Sequence, residues 1–293
     1  MVRESYAKAT MFGCNTYAYM LSQRAETCIE RLAEFGFLEF EVMVHPGHLW
    51  PAELSADKRS NIRGLLQRRG LKLTTLNLPN IDINIVSTTP EMRAYSLNLM
   101  TETVRLAGEL GAQGVVLSPG KASSLLPVSR NVLEGFFFSA LDRLGPIARA
   151  SGTALWLENV TVAFEPTAAG LMDLLRRYGN DAVRVVYDIA NAYFVGEDFA
   201  EGLNICGQRL ALVHLSDTDR KIYRHDRIGA GTVPFAAVPT ALAAVGYRGR
   251  PMLEIISPQP DSDILASADR LGTLGFCSSQ ASTAPHSEVI QRS

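Results

Sequence analysis

The stretch ALVHLSDTDRKIYRHDRIGAG, residues 211–231, decides how the chain is expected to fold. It begins as an apolar run typical of a short buried strand, and that run stops at His214. A polar loop follows, and Gly229 and Gly231 close it. A strand that ends by delivering a polar side chain to a loop is the unit that α/β barrels repeat.

Three other apolar runs end in the same way, each at a carboxylate. ALWLE ends at Glu158, VRVVYD ends at Asp188, and PMLEII carries Glu254. Because the carboxyl ends of parallel strands meet at one face of a barrel, these side chains and His214 are expected to converge there. Three carboxylates and an imidazole suit one divalent metal ion, and without a cation or protons the carboxylates would repel one another. We therefore predict one metal site, with Mn²⁺ as the first choice and Mg²⁺, Co²⁺ or Zn²⁺ as alternatives.

The rest of the chain repeats the pattern of apolar run, polar loop and amphipathic stretch. Strands are predicted at 9–14, 37–44, 71–78, 112–119, 153–158, 183–188, 210–215 and 250–256. Helices are predicted at 24–36, 56–69, 90–110, 129–150, 167–178, 198–207, 235–245 and 262–275. Eight such units predict an α/β fold, a (β/α)8 TIM barrel, as a single domain over residues 1–276. The polar, aperiodic residues 277–293 are predicted to form a disordered C-terminal tail.

The helix predicted at 90–110 has the clearest boundaries. Thr89 can cap it, Pro90 suits its first position and Gly111 suits its end. Its apolar stripe is predicted to pack against the sheet and consists of Met92, Tyr95, Leu99, Leu106 and Leu110.

Composition limits the classes of partner. A formal net charge of -2 provides no basic field for a nucleic acid. The four cysteines lie far apart and form no CxxC motif, which favours reduced thiols in a cytoplasmic protein. The sequence contains neither a signal-peptide core nor an apolar stretch approaching the roughly 20 residues of a membrane span. A soluble protein that acts on a small molecule is expected. The sequence does not decide whether the protein is a monomer or a homo-oligomer.

Several motifs resemble the metal motifs of the xylose isomerase-like sugar isomerases and epimerases, also known as the sugar phosphate isomerase/epimerase family. They are LENVTVAF (157–164), YDIANAYF (187–194), HLSDTDR (214–220), LEII (253–256) and HDRIGAG (225–231). The resemblance covers about residues 10–276 and implies that Glu158, Asp188, His214 and Glu254 hold the metal. In the ketose 3-epimerase branch an arginine six residues after the histidine contacts the substrate, which implies that role for Arg220.

The same superfamily contains endonuclease IV, which assembles three metal ions with additional histidines. At three positions where the resemblance would place those histidines, this chain has Asn80, Ser118 and Asn191. A trinuclear metal site and DNA cleavage are therefore not expected. His225 is expected either to line the substrate pocket or to brace its loop.

Two positions also depart from the ketose 3-epimerases. Asn191 replaces a histidine, and Phe164 replaces an acidic residue. Asn191 can still form a hydrogen bond with a substrate hydroxyl. Phe164 predicts an apolar pocket wall, suited to a deoxy sugar, an aglycone or a less polar polyol.

The predicted ligand set suggests a mechanism. A divalent ion that binds a hydroxyl and an adjacent carbonyl makes the neighbouring C–H more acidic and stabilises an enediolate, while Glu158 and Glu254 serve as catalytic base and acid. Arg220 is expected to orient a substrate oxygen or to be a solvated loop cation, and Asp217 to position His214 or the loop.

Three functions remain open at this point. The first is an isomerase or epimerase of a sugar or keto-polyol, and the second is a lyase, either a dehydratase or a C-glycoside-cleaving subunit, which the predicted Phe164 wall favours. The third is a barrel that binds a polyol or metal without turnover.

Overall fold

The computed structural model describes residues 9–123, 125 and 127–276. Eight parallel strands form a closed barrel in which each strand pairs with the next and the last pairs with the first. The strands are β1 (Gly13–Asn15), β2 (Glu39–Met43), β3 (Lys72–Asn77), β4 (Gly114–Leu117), β5 (Ala154–Glu158), β6 (Arg184–Asp188), β7 (Leu210–Leu215) and β8 (Met252–Leu253). The predicted TIM barrel is confirmed.

Helices surround the barrel. They are α1 (Ala25–Glu34), α2 (Ala56–Arg69), α3 (Pro90–Leu110), α4 (Arg130–Ala150), α5 (Ala168–Tyr178), α6 (Ile189–Phe194), α7 (Phe199–Cys206), α8 (Val238–Ala244) and α9 (Pro260–Gly272). Short 3₁₀ helices lie at Tyr17–Tyr19, Pro51–Glu53, Gly207–Arg209 and Phe235–Ala237. The sequence did not predict α6, and it overestimated the lengths of β1 and β8.

The bounds of α3 agree with the sequence, but the side chain of Thr89 forms no capping hydrogen bond, and the buried face matches the predicted stripe only in part. Pro90 is its first residue, and Gly111 ends it in the left-handed region at φ 79°. Met92 and Tyr95 are 47% and 56% exposed. Leu106 and Leu110 of the predicted stripe are buried, and Leu99 is partly buried against the core. The buried face also includes Ser96, Met100, Thr101, Thr103, Val104 and Ala107.

Hydroxyl groups on that face explain the difference. The side chain of Ser96 donates to the carbonyl of Met92, and Thr103 donates to the carbonyl of Leu99. Because each hydroxyl is satisfied within the helix, these residues can be buried at little cost. A pattern of apolar residues alone therefore extends the stripe to the exposed Met92 and Tyr95 and omits the buried residues that carry hydroxyl groups.

The side chains of the strands point alternately into the barrel and toward the surrounding helices, so they form two separate apolar clusters. An apolar cluster separate from the main core consists of Val116, Trp156, Val186, Leu212 and Met252. The residues between and beside them on the strands, such as Leu157 and Tyr187, belong to the larger core shared with the helices. Since successive strand side chains point to opposite faces, the smaller cluster fills the barrel interior.

Each predicted metal ligand lies two residues after a member of this interior cluster. Glu158 follows Trp156 at that spacing, and Asp188, His214 and Glu254 follow Val186, Leu212 and Met252. A spacing of two keeps a strand residue on the same face, so the ligands form the next interior layer toward the carboxyl ends of the strands.

Three expectations from composition can be compared with the structure. Cys14, Cys28 and Cys206 are free and buried. In the part of the chain that the structure describes, no helix has the length and apolar character to cross a membrane. Cys277 and the predicted disordered tail at 277–293 lie outside the described residues.

Candidate metal centre and active site

The barrel brings the four predicted ligands together. Glu158, Asp188, His214 and Glu254 are all buried, and one ligand atom from each lies within 4.8 Å of the others. Nδ1 of His214 is 3.1 Å from a Glu158 oxygen, 3.4 Å from a Glu254 oxygen and 3.9 Å from an Asp188 oxygen. Nδ1 therefore faces the three carboxylates.

The chemistry of this cluster fits a cation. Oδ2 of Asp188 is buried and has no hydrogen-bond partner among the described residues, while Oδ1 accepts a hydrogen bond of 2.6 Å from the backbone N–H of Asn191. The pKa of Asp188 is raised to about 7, mainly by burial; Glu254 and Glu158 also raise it, whereas His225 and His214 lower it. An orphaned oxygen among buried carboxylates is costly unless a proton or a cation neutralises it. The four side chains are therefore suited to hold one divalent metal ion.

The two glutamates of the cluster have different electrostatic surroundings. Burial raises the pKa of Glu158. Burial alone would also raise the pKa of Glu254, but His214 and His225 outweigh it and hold that pKa well below its usual range. In the metal-free protein, Glu254 is thus the more readily ionised of the two.

A fourth buried carboxylate, Glu41 of β2, lies behind His214. Its Oε1 is 3.3 Å from Nε2 of His214, and this nitrogen forms no hydrogen bond within the part of the chain that the structure describes. Asn15, Thr75 and Asn77 all donate side-chain hydrogen bonds to Glu41. A metal-binding histidine commonly donates its second N–H to a carboxylate, and Glu41 is placed to accept it.

The sequence analysis did not predict a role for Glu41. The available signal was an acidic residue inside the apolar run FLEFEVMV, because parallel barrel strands are buried on both faces and an interior glutamate must find partners. Asn15 was likewise missed, although its side chain joins two carboxylates by donating to Glu41 and, at 3.1 Å, to Glu254.

A cavity of about 230 Å³ opens above the cluster. Of the four ligand candidates, Glu158 and Glu254 line it, whereas Asp188 and His214 are each 0% exposed and lie behind them. The wall also contains polar side chains with hydrogen-bonding groups, among them Asn77, Asn80, Ser118, Thr161, Asn191 and His225.

His225 both lines the cavity and braces its loop, so the two alternatives apply together. Nδ1 of His225 lies 2.9 Å from Oγ of Ser216 and 3.3 Å from a Glu254 oxygen. Its Nε2 lies 2.8 Å from the hydroxyl of Tyr223, which donates a hydrogen bond of 2.6 Å to Oδ1 of Asn191. This chain of contacts fixes the wall of the cavity between the loop after β7 and helix α6.

Other loop residues predicted for the site have different places. Arg220 is exposed, and its guanidinium lies 4.5 Å from the ring centre of Tyr193 in a cation–π contact, so it does not line the cavity. Phe164 also does not line it, because its ring packs edge-on against Phe137 of α4 with 6.4 Å between centroids. The predicted apolar wall at Phe164 is thus not part of this cavity, and the substrate contact of Phe164 stays a prediction. The cavity gives no support to the lyase that this wall favoured.

Of the two roles expected for Asp217, the structure supports the positioning of the loop and not the positioning of His214. Its carboxylate is buried and accepts hydrogen bonds from the backbone N–H groups of Gly229 at 2.7 Å and Val233 at 3.1 Å. Gly231 lies close by, since a Cβ there would be 2.3 Å from the carbonyl oxygen of Thr218. The glycine-closed loop is thus folded around one buried carboxylate.

Residues 29–274 match the model of the family described as xylose isomerase-like TIM barrel. The chain belongs to this family. Its relatives include the L-ribulose 3-epimerase of Mesorhizobium japonicum, which is 28% identical over 227 residues, covering 74% of this chain and 70% of that protein.

Solved structures show the same fold. The crystal structure of a D-tagatose 3-epimerase-like protein aligns with a TM-score of 0.77 and 22% identity, covering 90% of this chain and 96% of that chain. The crystal structure of the IOLI protein with a bound zinc atom aligns with a TM-score of 0.72 and 18% identity, covering 89% of this chain and 94% of that chain.

Proposed function

We propose that this protein is a divalent-metal-dependent isomerase or epimerase of a sugar or keto-polyol, with Glu158 and Glu254 as the groups that move the proton. The observation that carries the proposal is the division of the cluster: the two glutamates line the cavity, while Asp188 and His214 are buried behind them. The relationship to an L-ribulose 3-epimerase supports a sugar as substrate.

The metal would be held by Glu158, Asp188, His214 and Glu254. The orphaned oxygen of Asp188 and the convergence of the four ligand atoms support this assignment, as does the zinc atom in the related barrel of the IOLI protein. A divalent ion in such a site polarises a substrate carbonyl and makes the adjacent C–H more acidic. Mn²⁺ is the proposed ion.

The chain's own contribution is to remove a proton and return it. Glu254, whose pKa is held low, is ionised and can accept a proton, whereas Glu158, whose pKa burial raises, can donate one. Two carboxyl groups with opposite pKa shifts are the arrangement expected of an acid and a base that act on the same substrate. Their roles reverse when the reaction runs backwards.

Substrate hydroxyls would be bound by the cavity wall. Asn191 and His225 are the proposed contacts, since both line the cavity and are held in place by Tyr223. Oδ1 of Asn191 already accepts from Tyr223, so its amide N–H₂ is the group that can donate to a hydroxyl oxygen.

Hydrogen exchange in D₂O tests the proposal. Protein loaded with Mn²⁺ and incubated with a panel of ketoses is expected to incorporate deuterium at the carbon beside the carbonyl and to release an isomer of the starting sugar. Glu158→Gln and Glu254→Gln should each slow exchange by about 10²–10⁴-fold, the usual contribution of a general acid or base.

A matched control is Glu165→Gln, which removes a carboxylate from the loop after β5 that is paired with Arg130 and does not line the cavity. It should exchange at the wild-type rate. Exchange at that rate in either active-site variant, with circular dichroism showing an intact fold, would remove that glutamate from the mechanism. Loss of water or of an aglycone in place of isomer formation would instead identify a lyase.

A further inference from the structure

The mouth of the cavity carries exposed apolar side chains, unlike its floor. Ile81 is 53% exposed, Val162 is 52% exposed, and Tyr223 and Ile256 are each 38% exposed. All four line the cavity, and they come from the loops after β3, β5, β7 and β8. Large apolar side chains converging from four separate loops form a surface that water solvates poorly, which marks a contact site.

The mouth is continuous with the chemistry below it. The same cavity contains the carboxylates of Glu158 and Glu254 at its floor and the apolar side chains at its opening. A molecule that contacts the glutamates lies in the same cavity as Ile81, Val162 and Ile256, so a long enough molecule can contact both groups at once. This continuity favours a part of the substrate as the occupant over an unrelated partner.

The side chains that line the cavity limit the charge of the substrate that can bind there. None of the described residues that line it is Lys or Arg, and two of them are glutamates. The one imidazole in the lining, His225, already lies 3.3 Å from an oxygen of Glu254, so a phosphate or carboxylate group would find no lysine or arginine and no unpaired imidazole among these residues. The geometry thus suits an uncharged molecule.

We propose that the natural substrate is an uncharged sugar or keto-polyol that carries an apolar substituent, with the substituent resting on an apolar mouth formed by Ile81, Val162, Tyr223 and Ile256. This inference rests on the proposed function and adds the substrate class. A free or phosphorylated monosaccharide would leave the apolar mouth exposed to water. Each methylene of a substituent that becomes buried there should tighten binding by about fourfold.

A homologous series of 1-hydroxyalkan-2-ones tests the inference, because each member presents the hydroxyketone end of a ketose and an alkyl chain of chosen length. Calorimetric titration of the Mn²⁺-loaded protein is expected to show affinity rising by about fourfold per methylene from hydroxyacetone to 1-hydroxyhexan-2-one. Ile81→Ser and Val162→Ser should each weaken the longest member by about tenfold and change hydroxyacetone little.

The control is Val132→Ser, which removes an apolar side chain of similar exposure, 43%, from α4 and outside the cavity. It should leave the whole series unchanged. The same affinity for all chain lengths, or equal effects of Ile81→Ser and Val132→Ser, would overturn the inference. So would a flat series together with a wild-type oligomer that Ile81→Ser dissociates, because the apolar mouth would then be an interface between copies of the chain.

Deuterium exchange measured on the same samples separates this inference from the proposed function. Exchange of hydroxyacetone with a flat affinity series would reject only the apolar substituent. A rising affinity series with no exchange of any hydroxyketone or ketose would support the apolar contact and reject the enzyme activity.

Discussion

Glu41→Gln tests whether the buried carboxylate behind His214 prepares that histidine for a metal. The substitution keeps the size of the side chain and removes its charge 3.3 Å from Nε2 of His214. Three side chains donate to Glu41, from Asn15, Thr75 and Asn77. A glutamine can keep its amide oxygen toward Asn15, Asn77 and His214 if its N–H₂ meets the hydroxyl of Thr75, which can accept. The substitution therefore removes the negative charge that faces the imidazole while it preserves the hydrogen bonds.

The expected effect follows from the place of Glu41 behind a ligand. Loss of such a partner typically weakens metal binding by about 10–100-fold, which corresponds to about 1.4–2.7 kcal/mol. The assay is competition for Zn²⁺ between a fluorescent chelator and EDTA-stripped protein. Ring-¹⁵N NMR of the Zn²⁺-loaded wild type should show His214 protonated at Nε2, with Nδ1 free of a proton.

A control on the same strand is Glu39→Gln, because Glu39 pairs with Lys72 and Arg250 at the other end of β2. It should change the affinity for Zn²⁺ by less than about twofold. If Glu41→Gln bound Zn²⁺ as tightly as the wild type, or if His214 were protonated at Nδ1 in the loaded protein, the role assigned to Glu41 would be refuted.

Three further predictions concern pH, the barrel interior and the loop after β7. Because the pKa of Asp188 is raised to about 7, mainly by burial, metal binding must displace a proton from this carboxyl group. Affinity should therefore fall as the pH drops below 7, and calorimetry in buffers of different ionisation enthalpy should detect proton release; a pH-independent affinity would contradict this. Gly114→Ala places a Cβ 2.5 Å from the Trp156 ring and should lower the free energy of unfolding by about 1–3 kcal/mol in urea titrations, whereas Gly135→Ala in α4, where nothing lies within 4 Å, should raise it by about 0.5–1 kcal/mol; equal effects would disprove the packing argument. Asp217→Ala leaves the N–H groups of Gly229 and Val233 without their buried acceptor and should cost about 2 kcal/mol or more in the same titrations, and an unchanged midpoint would show that the loop does not depend on Asp217.

The fold and the metal cluster could be predicted because both follow from regular spacing. Each of the strands β5 to β7 places a polar residue at or near its end, two positions after an interior apolar residue, and Glu254 keeps the same spacing beyond β8. Parallel strands in a closed barrel must bring such residues to one face. The meeting of the four ligands could therefore be predicted without knowing the conformations of the loops.

The wall of the cavity could not be predicted in the same way. The directions of the Phe164 and Arg220 side chains depend on Phe137 and Tyr193, which are distant in sequence, and no local pattern encodes those contacts. Helix α6 is only six residues long, too short for an apolar period to be visible, yet it carries Asn191 to the cavity. Tertiary packing, rather than local propensity, determines these positions.

The central claim is that Glu158, Asp188, His214 and Glu254 bind one divalent ion. Anomalous diffraction at the manganese edge, from crystals of the stripped protein soaked in Mn²⁺, tests it most directly. The account predicts a single strong peak at about 2.0–2.3 Å from one ligand atom of each of the four side chains, with that peak absent from an Asp188→Ala, Glu254→Gln double variant. An empty cluster in the wild type, with manganese bound elsewhere on the chain, would contradict it.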